Sequence, residues 1–120
     1  MEFKDNKPIY LQIVDVCFIK ILRREWKEEE RIPAVRDLAI GLEVNPNTVM
    51  RSYDYLQTEN IIYSKRGMGY FVREDAYNQA LRLQRKSFYE IDLVDIFNTM
   101  SLLDISIEDI VSAYNNHHKK

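Results

Sequence analysis

Residues 32–72 read IPAVRDLAIGLEVNPNTVMRSYDYLQTENIIYSKRGMGYFV, and their reading decides the fold. Val35, Leu38, Ala39 and Leu42 recur at i, i+3, i+4 and i+7, which makes one apolar face of a short helix over residues 35–43. Val44 follows the turn, where it can plug the corner. Asn45-Pro46 has the chemistry of a helix start. Asn supplies an N-cap oxygen, and Pro fits the first helical position because its missing N–H would be unpaired there anyway. Val49, Tyr53 and Leu56 continue at i, i+4 and i+7 and turn inward, leaving Asn47, Thr48, Met50, Arg51 and Asp54 facing out. Asn60 can take the left-handed conformation that ends a helix.

Two helices joined by a few residues, the second opening on small polar groups, form a helix-turn-helix pattern. The polar opening serves access: the start of a recognition helix enters the major groove, and bulky apolar side chains there would block the base edges. Ile61-Ile62-Tyr63 and Tyr70-Phe71-Val72 are β-prone runs around Lys65-Arg66-Gly67-Met68-Gly69, which predicts a hairpin with a basic, glycine-bearing tip. Gly lets the backbone turn and come close to a phosphate, and Lys and Arg neutralise phosphate charge. The expected fold class is mainly α with a small β-hairpin. A winged helix-turn-helix occupies residues 1–73, and a two-helix dimerisation tail occupies residues 74–120.

Four separated motifs carry a family resemblance. They are Pro8-Ile9-Tyr10-Leu11-Gln12-Ile13, then Ile32-Pro33-Ala34-Val35-Arg36-Asp37-Leu38-Ala39, then Val44-Asn45-Pro46-Asn47-Thr48-Val49, and last Arg66-Gly67-Met68-Gly69-Tyr70-Phe71-Val72. In order and spacing they resemble the DNA-binding domain of GntR-type bacterial transcription regulators, over roughly residues 7–72. The short remainder resembles the YtrA-like subgroup, which carries a small helical dimerisation tail in place of a large effector domain. The sequence departs from the pattern at Arg24 and Glu29, near which the family usually has Gly, at Glu28, near which it has Pro, and at Ala34, where it often has Ser. The charged run Lys27-Glu28-Glu29-Glu30-Arg31 reads as a solvated loop or an extra helical turn.

The net charge is −2, and acids and bases cancel over the first 72 residues, so nucleic-acid binding has to come from local placement. From periodicity alone, Arg36 reads equally as a solvated arginine, a partner of Asp37 or Asp54, or a DNA contact; the resemblance implies a base or phosphate contact. Asn47 and Thr48 could be ordinary first-turn polar residues, and Arg51 could pair with Asp54 or Asp37. The candidate DNA-binding set is Arg36, Asn45, Asn47, Thr48, Arg51, Lys65, Arg66 and Gly67.

The first helix covers residues 9–24, with one apolar stripe from Ile9, Ile13, Val16 and Cys17 and a second from Leu11, Val14, Phe18 and Leu22. Residues 76–98 read as one long helix whose stripe contains Tyr77, Leu81, Gln84, Phe88, Ile91 and Val94. Ser106-Ile107-Glu108-Asp109 resembles a capping box, and Ile107, Ile110, Val111 and Tyr114 give a final short amphipathic helix. Two helices cannot close a core alone, so these stripes need a partner: a second copy, which gives a two-fold homodimer, or for part of the surface the first helix of the same chain. Tyr77, Leu81, Phe88, Ile91, Ile110 and Tyr114 are the candidate dimerisation residues.

No catalytic constellation, cofactor motif or metal-ligand spacing is present, so the chain does not read as an enzyme. The lone Cys17 suits a reducing cytoplasm, and no apolar run is long enough for a membrane span. The expected function is a sequence-specific DNA-binding regulator, a repressor that binds double-stranded DNA at a palindromic operator as a homodimer. The alternative is a winged-helix protein-interaction module. A small-molecule effector, if the chain has one, would have to bind at the dimer interface or between tail and head.

Overall fold

A computed structural model of the chain describes residues 7–118. Its elements run α1 (Ile9–Leu22), α2 (Val35–Leu42), α3 (Pro46–Thr58), β1 (Ile62–Lys65), β2 (Gly69–Val72), α4 (Ala76–Ser87), a π-helical turn (Phe88–Asp92), α5 (Leu93–Leu103) and α6 (Ile107–His118). Residues 1–6, which carry the start of the expected first domain, lie outside the described residues, as do 119 and 120.

The chain forms two compact units that divide within α4, between Gln84 and Arg85. The first unit is a winged helix-turn-helix. Its core collects Ile13, Cys17 and Ile21 of α1, Leu38 and Ala39 of α2, Val49, Tyr53 and Leu56 of α3, and Ile62 and Val72 of the hairpin. All three residues of the expected α3 stripe are completely buried, and Val35, Leu42 and Val44 pack against the same core. Ile9 is an exception to the expected α1 stripe: it sits in the first turn and is 47% exposed, while Ile21, one turn beyond Cys17, is buried instead.

Local chemistry explains the helix ends. The Asn45 side chain accepts the Asn47 N–H at 2.7 Å, and Pro46 occupies the first helical position. At the far end Asn60 takes φ 60°, the Asn60 N–H donates to the Gln57 carbonyl, and the Ile61 N–H donates to the Leu56 carbonyl. That crossed pair is a Schellman motif, and its apolar contact is supplied by Ile61, which is buried. α2 ends the same way on Glu43, with φ 58°.

β1 and β2 pair antiparallel, with Tyr63 opposite Phe71 and Lys65 opposite Gly69. The wing turn is closed by the Met68 N–H on the Lys65 carbonyl, with Gly67 at φ +76°. The free edge of β2 is covered by the segment before α2. Glu29 N–H donates to the Val72 carbonyl, Val72 N–H to the Glu30 carbonyl, and Ile32 N–H to the Tyr70 carbonyl. The charged run is thus a loop whose end pairs with the wing through its backbone, while Trp26 at its start is buried in the core.

Arg24 and Glu29 both hold positive φ, at 63° and 66°. These are the two positions where the family pattern has Gly nearby, so the left-handed geometry persists although the residue that adopts it freely is absent. Each side chain finds a partner. The Arg24 guanidinium lies over the Tyr77 ring and donates to Glu28, and the Glu29 carboxylate accepts the Tyr63 hydroxyl at 2.8 Å.

The expected long helix over 76–98 extends to Leu103 and contains the π-helical turn. A π turn adds a residue to the local repeat, so a stripe spaced for a regular helix shifts its facing at Phe88–Asp92. Before the turn, α4 packs on the first unit through Ala76 and Ala80, both fully buried, and through Leu83. Tyr77 and Leu81 therefore belong to an element of the first unit, and Tyr77 is covered by Arg24. In the second unit, α6 opens on a reciprocal capping box: Ser106 Oγ accepts the Asp109 N–H, and Asp109 Oδ2 accepts the Ser106 N–H. No side chain of the π turn, α5 or α6 is buried.

Candidate nucleic-acid interface

The outward face of α3 follows from the burial of the opposite one. With Val49, Ser52, Tyr53 and Leu56 inside, Asn47, Met50, Arg51 and Asp54 are exposed and Thr48 is half-buried. Ser52 fixes this rotation, because its hydroxyl reaches both the Tyr10 carbonyl at 2.7 Å and the Thr48 carbonyl at 3.1 Å. Tyr53 fixes the approach of α2: its hydroxyl donates to the Pro33 carbonyl at 2.7 Å, and its ring meets Tyr70 edge-on at 4.9 Å. Burial pushes the Tyr53 phenol far up, so it stays a neutral donor.

Asn47, Thr48 and Arg51 come together with Pro8, Ile9 and Tyr10 around an open notch of about 420 Å³. Asn45 stands just before them, but its side-chain oxygen is committed to the cap, which leaves its amide nitrogen for any further contact. Arg36 is exposed in the first turn of α2 and Arg66 is exposed at the wing tip beside Gly67. No carboxylate among the described residues forms an ion pair with Arg36, Arg51, Lys65 or Arg66. The pairings of Arg36 or Arg51 with Asp37 or Asp54 that the sequence left open are therefore not made.

The hairpin separates two sets of side chains, since alternate residues of a strand face opposite ways. Ser64 and Tyr70 share one face, and Tyr70 meets Tyr53 and Met50 of α3. Tyr63, Lys65 and Phe71 share the other, where the Lys65 ammonium lies 4.4 Å from the Phe71 ring centroid. Lys65 thus leaves the wing on the face turned away from α3. Gly69 has φ +103°, and a Cβ there would stand 3.0 Å from Arg31 Nε. Arg31 and Tyr10 are the residues that sequence reading passed over. Arg31 looked like part of a solvated run and Tyr10 like part of a helix motif, and only the tertiary contacts bring them to the wing and to α3.

Residues 9–72 match the family described as bacterial regulatory proteins, gntR family. The chain belongs to the GntR family. Two relatives of Bacillus subtilis (strain 168) are similar to it: the uncharacterized HTH-type transcriptional regulator YhcF, 41% identical over 75 residues, and the HTH-type transcriptional repressor YtrA, 37% identical over 73. These alignments span 62% and 61% of this chain and 62% and 56% of the relatives, less than two thirds of their length. A GntR family transcriptional regulator from Listeria monocytogenes has a similar structure, with TM-score 0.78 and 34% identity, covering 95% of this chain and 98% of that one. The winged helix-turn-helix of this GntR chain is accordingly the family's architecture, and the tail elements have counterparts in a solved relative of similar length.

Proposed function

We propose that this protein is a transcription regulator that reads a palindromic DNA operator as a homodimer and acts as a repressor. The observation that carries the reading is the set of exposed arginines, Arg36, Arg51 and Arg66, none ion-paired to a carboxylate of the described residues. In a chain of net charge −2, these three arginines gather positive charge on one recognition helix, the helix before it and a wing tip, which is the local placement that DNA binding requires. Asn47, Thr48 and Arg51 supply donors and acceptors for base edges and phosphates, Arg36 and Arg66 flank them, and Asn45 and Gly67 shape the turns that present them. Lys65 contributes to the wing's positive charge. The repressor assignment is supported by the name of YtrA, to which the winged domain is similar.

The dimer is supported by apolar exposure. Phe88 is 44% exposed, Ile91 58%, Ile110 37% and Tyr114 61%, and Val94, Phe97, Leu102 and Val111 are exposed with them. Such a surface on two short helices is stabilised by a second copy, and Leu81 (36% exposed) and the half-buried Tyr77 add apolar surface on α4 of the first unit. Linking two half-site readers makes the second contact intramolecular and raises avidity by roughly 10²–10⁴. The protein would act in the cytoplasm, on double-stranded DNA.

The test combines Arg36→Ala, Arg66→Ala and Phe88→Glu. Each arginine variant should weaken operator binding, by about 1–3 kcal/mol where a bidentate base contact is lost. Phe88→Glu should give monomers with a folded head and weak DNA binding, because an unpaired carboxylate is not held in an apolar interface. Arginine variants that bind like the parent would place the DNA face elsewhere, and a Phe88→Glu dimer would place the interface elsewhere.

A further inference from the structure

The Arg51 guanidinium carbon lies 4.0 Å from the centroid of the Tyr10 ring. Tyr10 is the second residue of α1, and its backbone is tied to α3 by the buried Ser52, whose hydroxyl donates to the Tyr10 carbonyl. Ring and guanidinium are therefore carried by two helices locked to each other one residue away from the contact. Both side chains line the notch that also contains Asn47 and Thr48.

We propose that Tyr10 is the positioning residue for Arg51 in DNA recognition. This rests on the reading of Arg51 as a DNA contact. A flexible arginine can be held in place in two ways. A carboxylate would hold it by taking its N–H donors and cancelling its charge; Asp54, three residues on in the same helix, is placed to do so and does not. An aromatic face holds the cation through the ring quadrupole and leaves the donors and the net charge for another partner. The stacked arginine is thus pre-ordered yet not neutralised, which is what an anionic phosphate or the acceptor edge of a guanine needs. The hydroxyl of Tyr10 has no part in this role; the ring does.

The experiment uses the full chain and a duplex selected by the parent protein from random DNA. Affinities are measured for Tyr10→Leu, Tyr10→Phe, Arg51→Ala and the Tyr10→Leu/Arg51→Ala double variant. Tyr10→Leu should weaken binding roughly two- to fivefold, the range of an exposed cation–π contact, while Tyr10→Phe stays near the parent. In the Arg51→Ala background Tyr10→Leu should have no further effect. Equal loss from Tyr10→Leu with and without Arg51 would overturn the proposal, since that is the pattern of a general disturbance of α1. If Leu unsettles the head, pentafluorophenylalanine at position 10 keeps the volume and reverses the quadrupole; affinity equal to Tyr10→Phe would then overturn it. An Arg51→Ala variant that binds like the parent refutes the DNA role of Arg51 itself. A weakened Arg51→Ala beside an unaffected Tyr10→Leu refutes only the positioning role.

Discussion

The Tyr53 hydroxyl donates to the Pro33 carbonyl at 2.7 Å, and this bond joins the middle of the recognition helix to the segment that launches α2. Pro33 has no N–H of its own, and its carbonyl faces the head interior, where Tyr53 is fully buried. Tyr53→Phe keeps the ring and its contact with Tyr70 but strands the carbonyl. The expected loss is about 1–2 kcal/mol of stability, the cost of an unmet partly buried acceptor, read by urea unfolding. A variant as stable as the parent would mean that water satisfies Pro33.

Cys17 gives the head a defined alkaline sensitivity. Burial pushes its thiol from 9.0 up to about 12, with Lys20 opposing weakly. The folded state therefore keeps a proton that the unfolded state releases. Stability from this group is complete below about pH 9 and is lost progressively as pH rises towards about 12. Between pH 7 and pH 10 the parent should lose about 1.4 kcal/mol more than Cys17→Ala. Equal losses would show that the thiol is not the titrating group.

Arg24 and Glu29 sit in left-handed backbone at φ 63° and 66°. Comparing Gly with Ala at each position cancels the lost side-chain contacts and leaves the backbone term. Gly should be the more stable by about 1 kcal/mol at both, the reverse of its usual ranking. Thermal unfolding of the four variants decides this, and an Ala variant that matches its Gly counterpart removes the strain argument.

The wing depends on Gly67 and Gly69, at φ +76° and +103°. Replacing both with Val should leave circular dichroism nearly unchanged and lower DNA affinity, because β-branched residues resist positive φ and a Cβ at Gly69 meets Arg31. Intact folding with intact affinity would show that the wing is not used.

The head was legible in the sequence because its determinants are local. The Val49, Tyr53 and Leu56 spacing, the Asn45-Pro46 cap and the glycines of the wing each act within a few residues. What escaped was made by backbone or by small side chains. The edge pairing of Glu29–Ile32 with β2 uses main-chain groups, which a charged run neither announces nor forbids. The docking of α4 uses Ala76 and Ala80, whose small side chains give no strong apolar signal in the sequence. The π turn at Phe88–Asp92 breaks the 3.6-residue repeat on which the stripe was drawn. The candidate site was legible as a set of residue types, but not the contact of Tyr10 with Arg51, which joins residues 41 positions apart in chain order.

Selection of bound sequences from random duplex DNA, at a fixed moderate salt concentration, tests the central claim most directly. The account predicts enrichment of a two-fold symmetric consensus, with half-sites one helical turn apart or a multiple of it, and affinity that falls as salt rises. Failure to enrich any sequence, or enrichment of a single asymmetric site bound by one copy, would contradict it.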